Sequence, residues 1–126
     1  MAKVKEIIAG RKCFAVDSKA SVKKISKILT ERKLTSLPVV DSRGKLVGVV
    51  SEKDIIKNFN SNKFLKMTAK DIMTKNVTCV KESDALEKVA KIFSDKSLRK
   101  LPVIKRGKLI GCITRDDVIS SFMKYY

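Results

Sequence analysis

The feature that most constrains this chain is an internal repeat. The segment Leu-Pro-Val-Val at 37–40 recurs as Leu-Pro-Val-Ile at 101–104, and Gly-Lys-Leu-Val-Gly at 44–48 recurs as Gly-Lys-Leu-Ile-Gly at 107–111. Both prolines and four of the five glycines of the chain occupy matching places in the two copies. Because glycine and proline set the backbone geometry, these matched sets predict two copies of one small fold.

Chain length bears on how the two copies are arranged. With 126 residues in total, each copy alone would be about 60 residues long and only marginally stable. We therefore expect a single body in which the two copies pack with pseudo-twofold symmetry. Hydrophobic residues make up 44% of the chain, which is enough to form a core.

The pattern of apolar residues and cysteines predicts a cellular location. No apolar run is long enough to span a membrane, and no secretory signal pattern opens the chain, so we expect no membrane association. The three cysteines are an odd number without CxxC spacing. This pattern argues against a disulfide framework and against a zinc site, and it favours a cytoplasmic protein.

Periodicity predicts the same elements in each copy, namely a short leading strand, a helix, a strand hairpin and a second helix. Apolar residues at helical spacing precede each Leu-Pro segment, and Ser51 and Thr114 are suited to cap the helix after each hairpin. Ser18 or Ser21 is the predicted cap of the first long helix, and Ser83 or Asp84 that of its counterpart. The predicted elements are helices around 22–29 and 86–93, hairpins of 37–40 with 45–50 and of 101–104 with 108–113, and helices 52–58 and 115–124.

These segments, together with Asp-Ile-Met-Thr at 71–74, resemble the CBS domain, and two in tandem resemble a Bateman module. The resemblance covers repeats at 4–58 and 67–124, joined by a linker at 59–66. It implies an α+β fold of two β-α-β-β-α units whose sheets pack together and leave two related clefts. Members of the family bind AMP, ADP, ATP, S-adenosylmethionine and sometimes nucleic acid, usually to regulate another protein.

The end of each hairpin carries chemistry that suits a nucleotide. Asp54 and Asp117 each follow a hydroxyl residue, Ser51 or Thr114, by three positions. Such a carboxylate can accept both hydroxyl protons of a ribose, while the hydroxyl and the backbone amides at the helix start suit a phosphate. The alternative is that each carboxylate only stabilises the first turn of its helix.

The resemblance implies which residues complete each cleft, because the ribose-binding aspartate of one repeat commonly faces the leading strand of the other. One predicted site combines Asp117, Thr114, Asp116 and Cys112 with Ala9, Phe14, Leu34 and Thr35. The other combines Asp54, Ser51, Lys53 and Val49 with Thr74, Thr78, Leu98 and Arg99.

The two predicted clefts differ in charge. Arg99 and Lys100 are predicted phosphate ligands, whereas Thr35 and Ser36 occupy the matching positions without charge. Ala9 lacks the hydroxyl that Thr74 offers, and Asp116 adds negative charge where a phosphate would lie. Both features weaken the Asp117 cleft, so we expect the Asp54 cleft to be the better site.

Net charge leaves a second class of function open. Lys and Arg total 29 against 13 Asp and Glu, a formal net charge of +16, which attracts polyanions such as nucleic acids. No helix-turn-helix, zinc-finger or RNP-like motif accompanies this charge. The chain has no histidine and no evident nucleophile–base pair, so we expect no catalytic residue, no metal site, no cofactor and no enzyme activity.

Taken together, the residues and the resemblance predict an intracellular module that senses an adenine nucleotide or S-adenosylmethionine and regulates an unidentified protein. The resemblance further implies a homodimer formed through helical faces. The alternatives are a nucleic-acid-binding protein that uses the basic surface, and a scaffold whose clefts are vestigial.

Overall fold

The computed structural model describes residues 2–9, 11 and 13–126. Within them the chain forms two compact units, which differ from the two sequence repeats. The central unit is Phe14–Val77, and the terminal unit combines Met1–Cys13 with Thr78–Tyr126. Each unit therefore combines most of one repeat with the leading segment of the other.

The elements follow the same order in both repeats. In chain order they are α1 (Val4–Ile8), β1 (Val16–Asp17), α2 (Val22–Glu31), β2 (Ser36–Val40), β3 (Leu46–Ser51), α3 (Glu52–Asn58), a 3₁₀ turn (Phe64–Lys66), α4 (Ala69–Ile72), β4 (Val80–Lys81), α5 (Leu86–Asp95), β5 (Lys100–Lys105), β6 (Lys108–Thr114) and α6 (Arg115–Tyr125). The predicted hairpins and the four predicted helices are confirmed. The α+β class with two three-stranded sheets is confirmed as well.

Each sheet joins one parallel and one antiparallel pair of strands. In the central unit β1 runs parallel to β2 and β2 antiparallel to β3, and the terminal unit repeats this order with β4, β5 and β6. The hairpin turns explain why two glycines occupy matching places in the two repeats, since Gly44 has φ 82° and Gly107 φ 81°. Such left-handed conformations are strained for residues with a Cβ atom. In the shorter second turn Arg106 is also left-handed, with φ 53°.

The start of the first long helix follows the prediction, whereas the start of its counterpart does not. Ser21 caps α2, because its Oγ accepts a hydrogen bond from the Lys24 amide at 3.1 Å. The prediction of Ser83 or Asp84 as the cap of α5 is wrong, since α5 follows Ala85 and no side chain caps it. The Leu86 amide instead donates to the Ala2 carbonyl at 3.0 Å. A backbone acceptor from the amino-terminal segment thus replaces the side-chain cap.

The helices α1 and α4 are additions to the predicted β-α-β-β-α order. In the terminal unit Ile8 of α1 lies against β6 at Gly111, and in the central unit Met73, just after α4, lies against β3 at Gly48. Both helices therefore contribute to a core. The buried apolar residues of the central unit are Val16, Ala20, Val22, Ile25, Leu29, Leu37, Val39, Val50, Ala69 and Ile72. Those of the terminal unit are Ala2, Val4, Ile8, Val80, Leu86, Val89, Leu101, Val103 and Ile113.

The predicted linker at 59–66 takes part in the packing of the central unit. Phe59 and Phe64 contact each other edge to face, with ring centroids 5.3 Å apart, and Phe64 also packs against the central core. No helix in the described part of the chain has the length and apolar character that crossing a membrane requires.

Candidate functional site

The aspartate at the end of each hairpin has a structural task. The Ser51 amide and the Ser51 hydroxyl donate to Asp54 Oδ2 at 2.9 and 3.0 Å, and the Asp54 amide donates to Ser51 Oγ at 3.2 Å. This reciprocal arrangement is a capping box at the start of α3. The alternative function proposed for these carboxylates, stabilising a first helical turn, therefore holds for one oxygen of Asp54.

The other oxygen of Asp54 is less engaged. The Thr74 hydroxyl lies 3.5 Å from Asp54 Oδ1, at the outer limit for a hydrogen bond. Thr74 is held there by β3, because its amide and carbonyl exchange hydrogen bonds with the Val49 backbone at 2.9 and 3.0 Å. Lys53 is exposed on the first turn of α3. Asp54 Oδ1 is thus an acceptor beside a hydroxyl group whose backbone is hydrogen-bonded to β3.

The matching aspartate of the terminal unit has both oxygens occupied. The Thr114 amide donates to Asp117 Oδ2 at 2.7 Å, and the Asp117 amide donates to Thr114 Oγ1 at 3.1 Å, which completes a capping box on α6. In addition the Arg11 guanidinium donates to both oxygens, from Nη1 to Oδ1 at 2.5 Å and from Nη2 to Oδ2. Partial burial favours a higher pKa for the Asp117 carboxyl, but the hydrogen bonds from Arg11 and Thr114 outweigh it and hold the pKa below its ordinary value.

Cationic side chains lie close to Thr114 in the terminal unit. Arg99 and Arg115 line an open groove of about 620 Å³ together with Ser97, Thr114 and Asp116. Lys100 pairs with Thr114 across the β5–β6 ladder and is half-buried. Burial lowers the pKa of the Lys100 ammonium, because desolvation disfavours its charged form.

The remaining predicted residues lie close to their own hairpins. In the central unit the Glu52 amide donates to the Thr35 carbonyl at 3.0 Å, and Ser36 pairs with Ser51. Leu34 packs against the central core. The Phe14 ring is 44% exposed, and the Arg32 guanidinium lies 4.6 Å from its centroid. Thr35 and Ser36 thus lie beside the start of α3.

In the terminal unit Lys96 Nζ donates to the Thr78 hydroxyl at 2.9 Å, and Arg115 Nε donates to the Leu98 carbonyl at 2.6 Å. Ala9 is the carboxyl cap of α1. Arg99, which is predicted to lie beside Asp54, lines a groove with Thr114 and Asp116 of its own unit. The parts of the predicted groupings that combine residues of both units stay predictions.

Arg11 is the site residue that sequence reasoning missed. It follows α1 in a stretch where the two repeats differ in length, since seven positions separate Ala9 from Val16 but six separate Thr74 from Val80. A lone basic residue in a chain with 29 Lys and Arg carries no signal of its own. The length difference is the one sequence feature that distinguishes the segment containing Arg11 from its counterpart in the second repeat.

The expectation that the cysteines form no disulfide is wrong. Cys13 and Cys112 form a disulfide bond across 99 positions of sequence, with Cα atoms 5.5 Å apart. The bond is local to the site, because the Cys112 carbonyl accepts a hydrogen bond from Arg11 Nη2 at 3.1 Å. Spacing rules could not reveal this pair, since it depends on α1 packing against β6. Cys79 is a free thiol whose pKa is raised, chiefly by burial.

Solved structures of similar proteins share the fold of this chain. The chain matches CBSX2 in complex with AMP at a TM-score of 0.84 and 32% identity, covering 98% of each chain. It also matches the CBS domain pair of protein MJ0100 in complex with 5′-methylthioadenosine and S-adenosyl-L-methionine, at a TM-score of 0.77 and 30% identity, covering 100% of this chain and 99% of that one.

Curated relatives are longer proteins. The L-aspartate semialdehyde sulfurtransferase of Methanocaldococcus jannaschii is 32% identical over 120 residues, which cover 94% of this chain but 23% of that protein. The chloroplastic CBS domain-containing protein CBSX2 of Arabidopsis thaliana is 31% identical over 138 residues, covering 86% of this chain and 58% of its own length. The CBS domain model matches residues 4–61 and again residues 69–124. With both repeats matched in sequence and both sheets matched in structure, the chain belongs to the CBS domain family and contains two tandem copies.

Proposed function

We propose that this chain is a regulatory module that binds an adenosyl ligand through Asp54, and that Asp117 provides a second, related site. One observation carries the proposal, namely that Asp54 Oδ1 stays open to an acceptor role while Oδ2 is fixed in the capping box. The two similar structures bound to AMP and to S-adenosyl-L-methionine support it, because both ligands carry an adenosine ribose.

The proposed chemistry assigns one task to each group. Asp54 Oδ1 accepts the hydroxyl protons of the ribose, and the Thr74 hydroxyl orients that oxygen. Charge-assisted hydrogen bonds of this kind are short and selective, so a deoxyribose, which lacks a donor, binds less well. In the terminal unit Arg99, Arg115 and Lys100 supply positive charge for a phosphate, and Asp116 opposes it.

Regulation follows from differential binding. A ligand shifts a conformational equilibrium only as far as it prefers one state, so the module reports ligand concentration to a protein that recognises that state. The module itself carries out no reaction. We place it inside the cell because adenine nucleotides are concentrated there; the Cys13–Cys112 bond means that the cysteines do not support this location.

Self-association is part of the proposal. On α6 the side chains of Ile119, Phe122 and Met123 are exposed at helical spacing, which makes an apolar stripe that a second copy of the chain would cover. Phe122→Glu should therefore lower the mass measured by light scattering to that of a monomer. A dimeric mass for Phe122→Glu would exclude this face.

A thermal-shift panel with AMP, ADP, ATP and S-adenosylmethionine tests the function, since a ligand that binds the native state raises the melting temperature. Calorimetric titration of the best ligand then compares it with its 2′,3′-dideoxy analogue. We expect the analogue to bind at least about tenfold more weakly, because it lacks both ribose donors. Equal affinities would remove the ribose role.

Nucleic-acid binding is the second candidate, and the net charge of +16 favours it. Such a charge gives measurable affinity for almost any DNA at low salt. For a nonspecific contact log K falls with log salt by about 0.9 per phosphate neutralised, so DNA binding should largely vanish near physiological salt. Sequence-selective DNA binding at about 150 mM salt, without nucleotide binding in the panel, would favour this candidate instead.

A further inference from the structure

The two equivalent aspartates are in different states. In the described residues Asp54 makes no ion pair, and the contact to its Oδ1 is the Thr74 hydroxyl at 3.5 Å. Asp117 pairs with Arg11 through both carboxylate oxygens. The Asp117 side chain is 12% exposed and that of Arg11 is 42% exposed, so the aspartate is fixed while the arginine reaches it from the solvent side.

The Arg11 contact uses the same atoms that a ribose would need. An arginine offers a planar fork of N–H donors that matches a carboxylate, and the vicinal hydroxyls of a ribose offer two donors to the same two oxygens. Asp117 Oδ2 also accepts the Thr114 amide at 2.7 Å. The Asp117 carboxylate already accepts three hydrogen bonds, so it cannot also accept two from a ribose while Arg11 is bound. A ribose must therefore displace Arg11.

We propose that Arg11 is a built-in competitor at Asp117, which makes this site selective for nucleoside phosphates over uncharged nucleosides. The inference rests on the proposed function, since it takes Asp117 to be a ribose acceptor. A displaced guanidinium loses its anionic partner. A phosphate on the incoming ligand gives the Arg11 guanidinium a new anionic partner with the same bidentate geometry, whereas an uncharged nucleoside provides no anion.

Local structure allows this exchange. Arg11 lies between α1 and β1, outside regular secondary structure, and its amide is held by the Ile8 carbonyl at 3.1 Å. The backbone can therefore stay in place while the long side chain turns. Cys13, two positions on, is fixed to Cys112 of β6, which keeps the segment beside Asp117. Arg11 thus stays within reach of a ligand after it has released the carboxylate.

The test isolates the Asp117 site by working in the Asp54→Ala background. AMP and adenosine are titrated by calorimetry into this protein and into versions that also carry Arg11→Ala or Arg11→Gln. We expect the parent to prefer AMP by at least about tenfold, and each Arg11 substitution to strengthen adenosine binding about tenfold while AMP gains less. The ratio of the two affinities therefore falls.

Lys75→Ala is the matched control. Lys75 is an exposed cation directly after Thr74 in the central unit, so its loss changes the net charge equally without touching Asp117. The AMP-to-adenosine ratio should stay unchanged in this variant. A ratio that is the same with and without Arg11, or Arg11 variants that bind adenosine no better, would overturn the inference.

The chain with Asp54 intact is titrated in parallel, which separates the two possible failures. If that chain binds AMP but the ratio ignores Arg11, the inference about Arg11 fails and the proposed function stands. If that chain binds neither AMP nor adenosine, the proposed function fails and the inference falls with it.

Discussion

Replacing Asp54 with alanine separates the two tasks of its carboxylate. The change removes the hydrogen bonds from the Ser51 amide and hydroxyl at 2.9 and 3.0 Å. Loss of a helix cap costs about 1 kcal/mol. With an unfolding entropy of about 2.1 cal/mol/K per residue, 1 kcal/mol corresponds to about 4 °C in melting temperature for a chain of 126 residues. We therefore expect a fall of about 4 °C in a thermal melt.

The same substitution should lower the affinity for AMP by more than the loss of the helix cap can explain. A hydrogen bond to a charged acceptor contributes about 1.5–3 kcal/mol, so loss of the ribose acceptor should reduce AMP affinity at least about tenfold. Calorimetric titration at a temperature well below the melting transition measures this directly, because the folded fraction is then nearly complete for both proteins.

Asp71 offers a control with nearly identical geometry. Its Oδ2 accepts hydrogen bonds from the Thr68 amide and hydroxyl at 2.9 and 3.1 Å, in a capping box on α4 of the same unit. Asp71→Ala should lower the melting temperature by a similar amount and leave AMP affinity unchanged. If the two substitutions reduce AMP affinity equally, or neither reduces it, Asp54 is a structural cap and the reasoning is refuted.

Four further perturbations test other parts of the structure. Gly48→Ala would place a Cβ atom 2.6 Å from the Met73 sulfur and 2.9 Å from the Thr74 carbonyl oxygen, so urea unfolding should show a loss of about 1–3 kcal/mol. Gly111→Ala should cost less, since its nearest neighbour is a flexible Ile8 methyl at 3.1 Å. Reducing the disulfide, which closes 99 positions of sequence, should lower the free energy of unfolding by about 2–4 kcal/mol, and an unchanged urea midpoint would contradict the pairing. Lys100→Met should raise the melting temperature at pH 7, because burial lowers the Lys100 pKa and the charged form therefore destabilises the fold. This gain in melting temperature should shrink as the pH rises through the Lys100 pKa. The same substitution should weaken AMP binding about tenfold.

Local signals were sufficient for the hairpins and the helices that follow them. Gly44 and Gly107 supply left-handed turns, and Ser51 and Thr114 form capping boxes, so these elements depend on residues a few positions apart. Sequence patterns report such short-range physics well. The predicted cap of α5 failed because its partner is the Ala2 carbonyl, far away in sequence.

The capping boxes at Asp54 and Asp117 were predictable for the same reason. Asp54 and its capping partner are three positions apart, so the spacing alone pointed to them. Arg11 and Asp117 are 106 positions apart, and their contact exists because α1 packs in the terminal unit. Local spacing does not reveal that the first residues of the chain pack with the second repeat. The Cys13–Cys112 disulfide was missed for the same reason.

The composition of the terminal unit sets an order of assembly during synthesis. The central unit is one continuous stretch, Phe14–Val77, and can fold as soon as it leaves the ribosome. The amino-terminal residues Ala2, Val4 and Ile8 leave earlier still, yet the core that buries them includes Leu101 and Ile113. They cannot complete this core until Leu101 and Ile113 have been made. The nascent chain therefore exposes these apolar residues while the central unit is being made and folded, and a chaperone could bind them during that time.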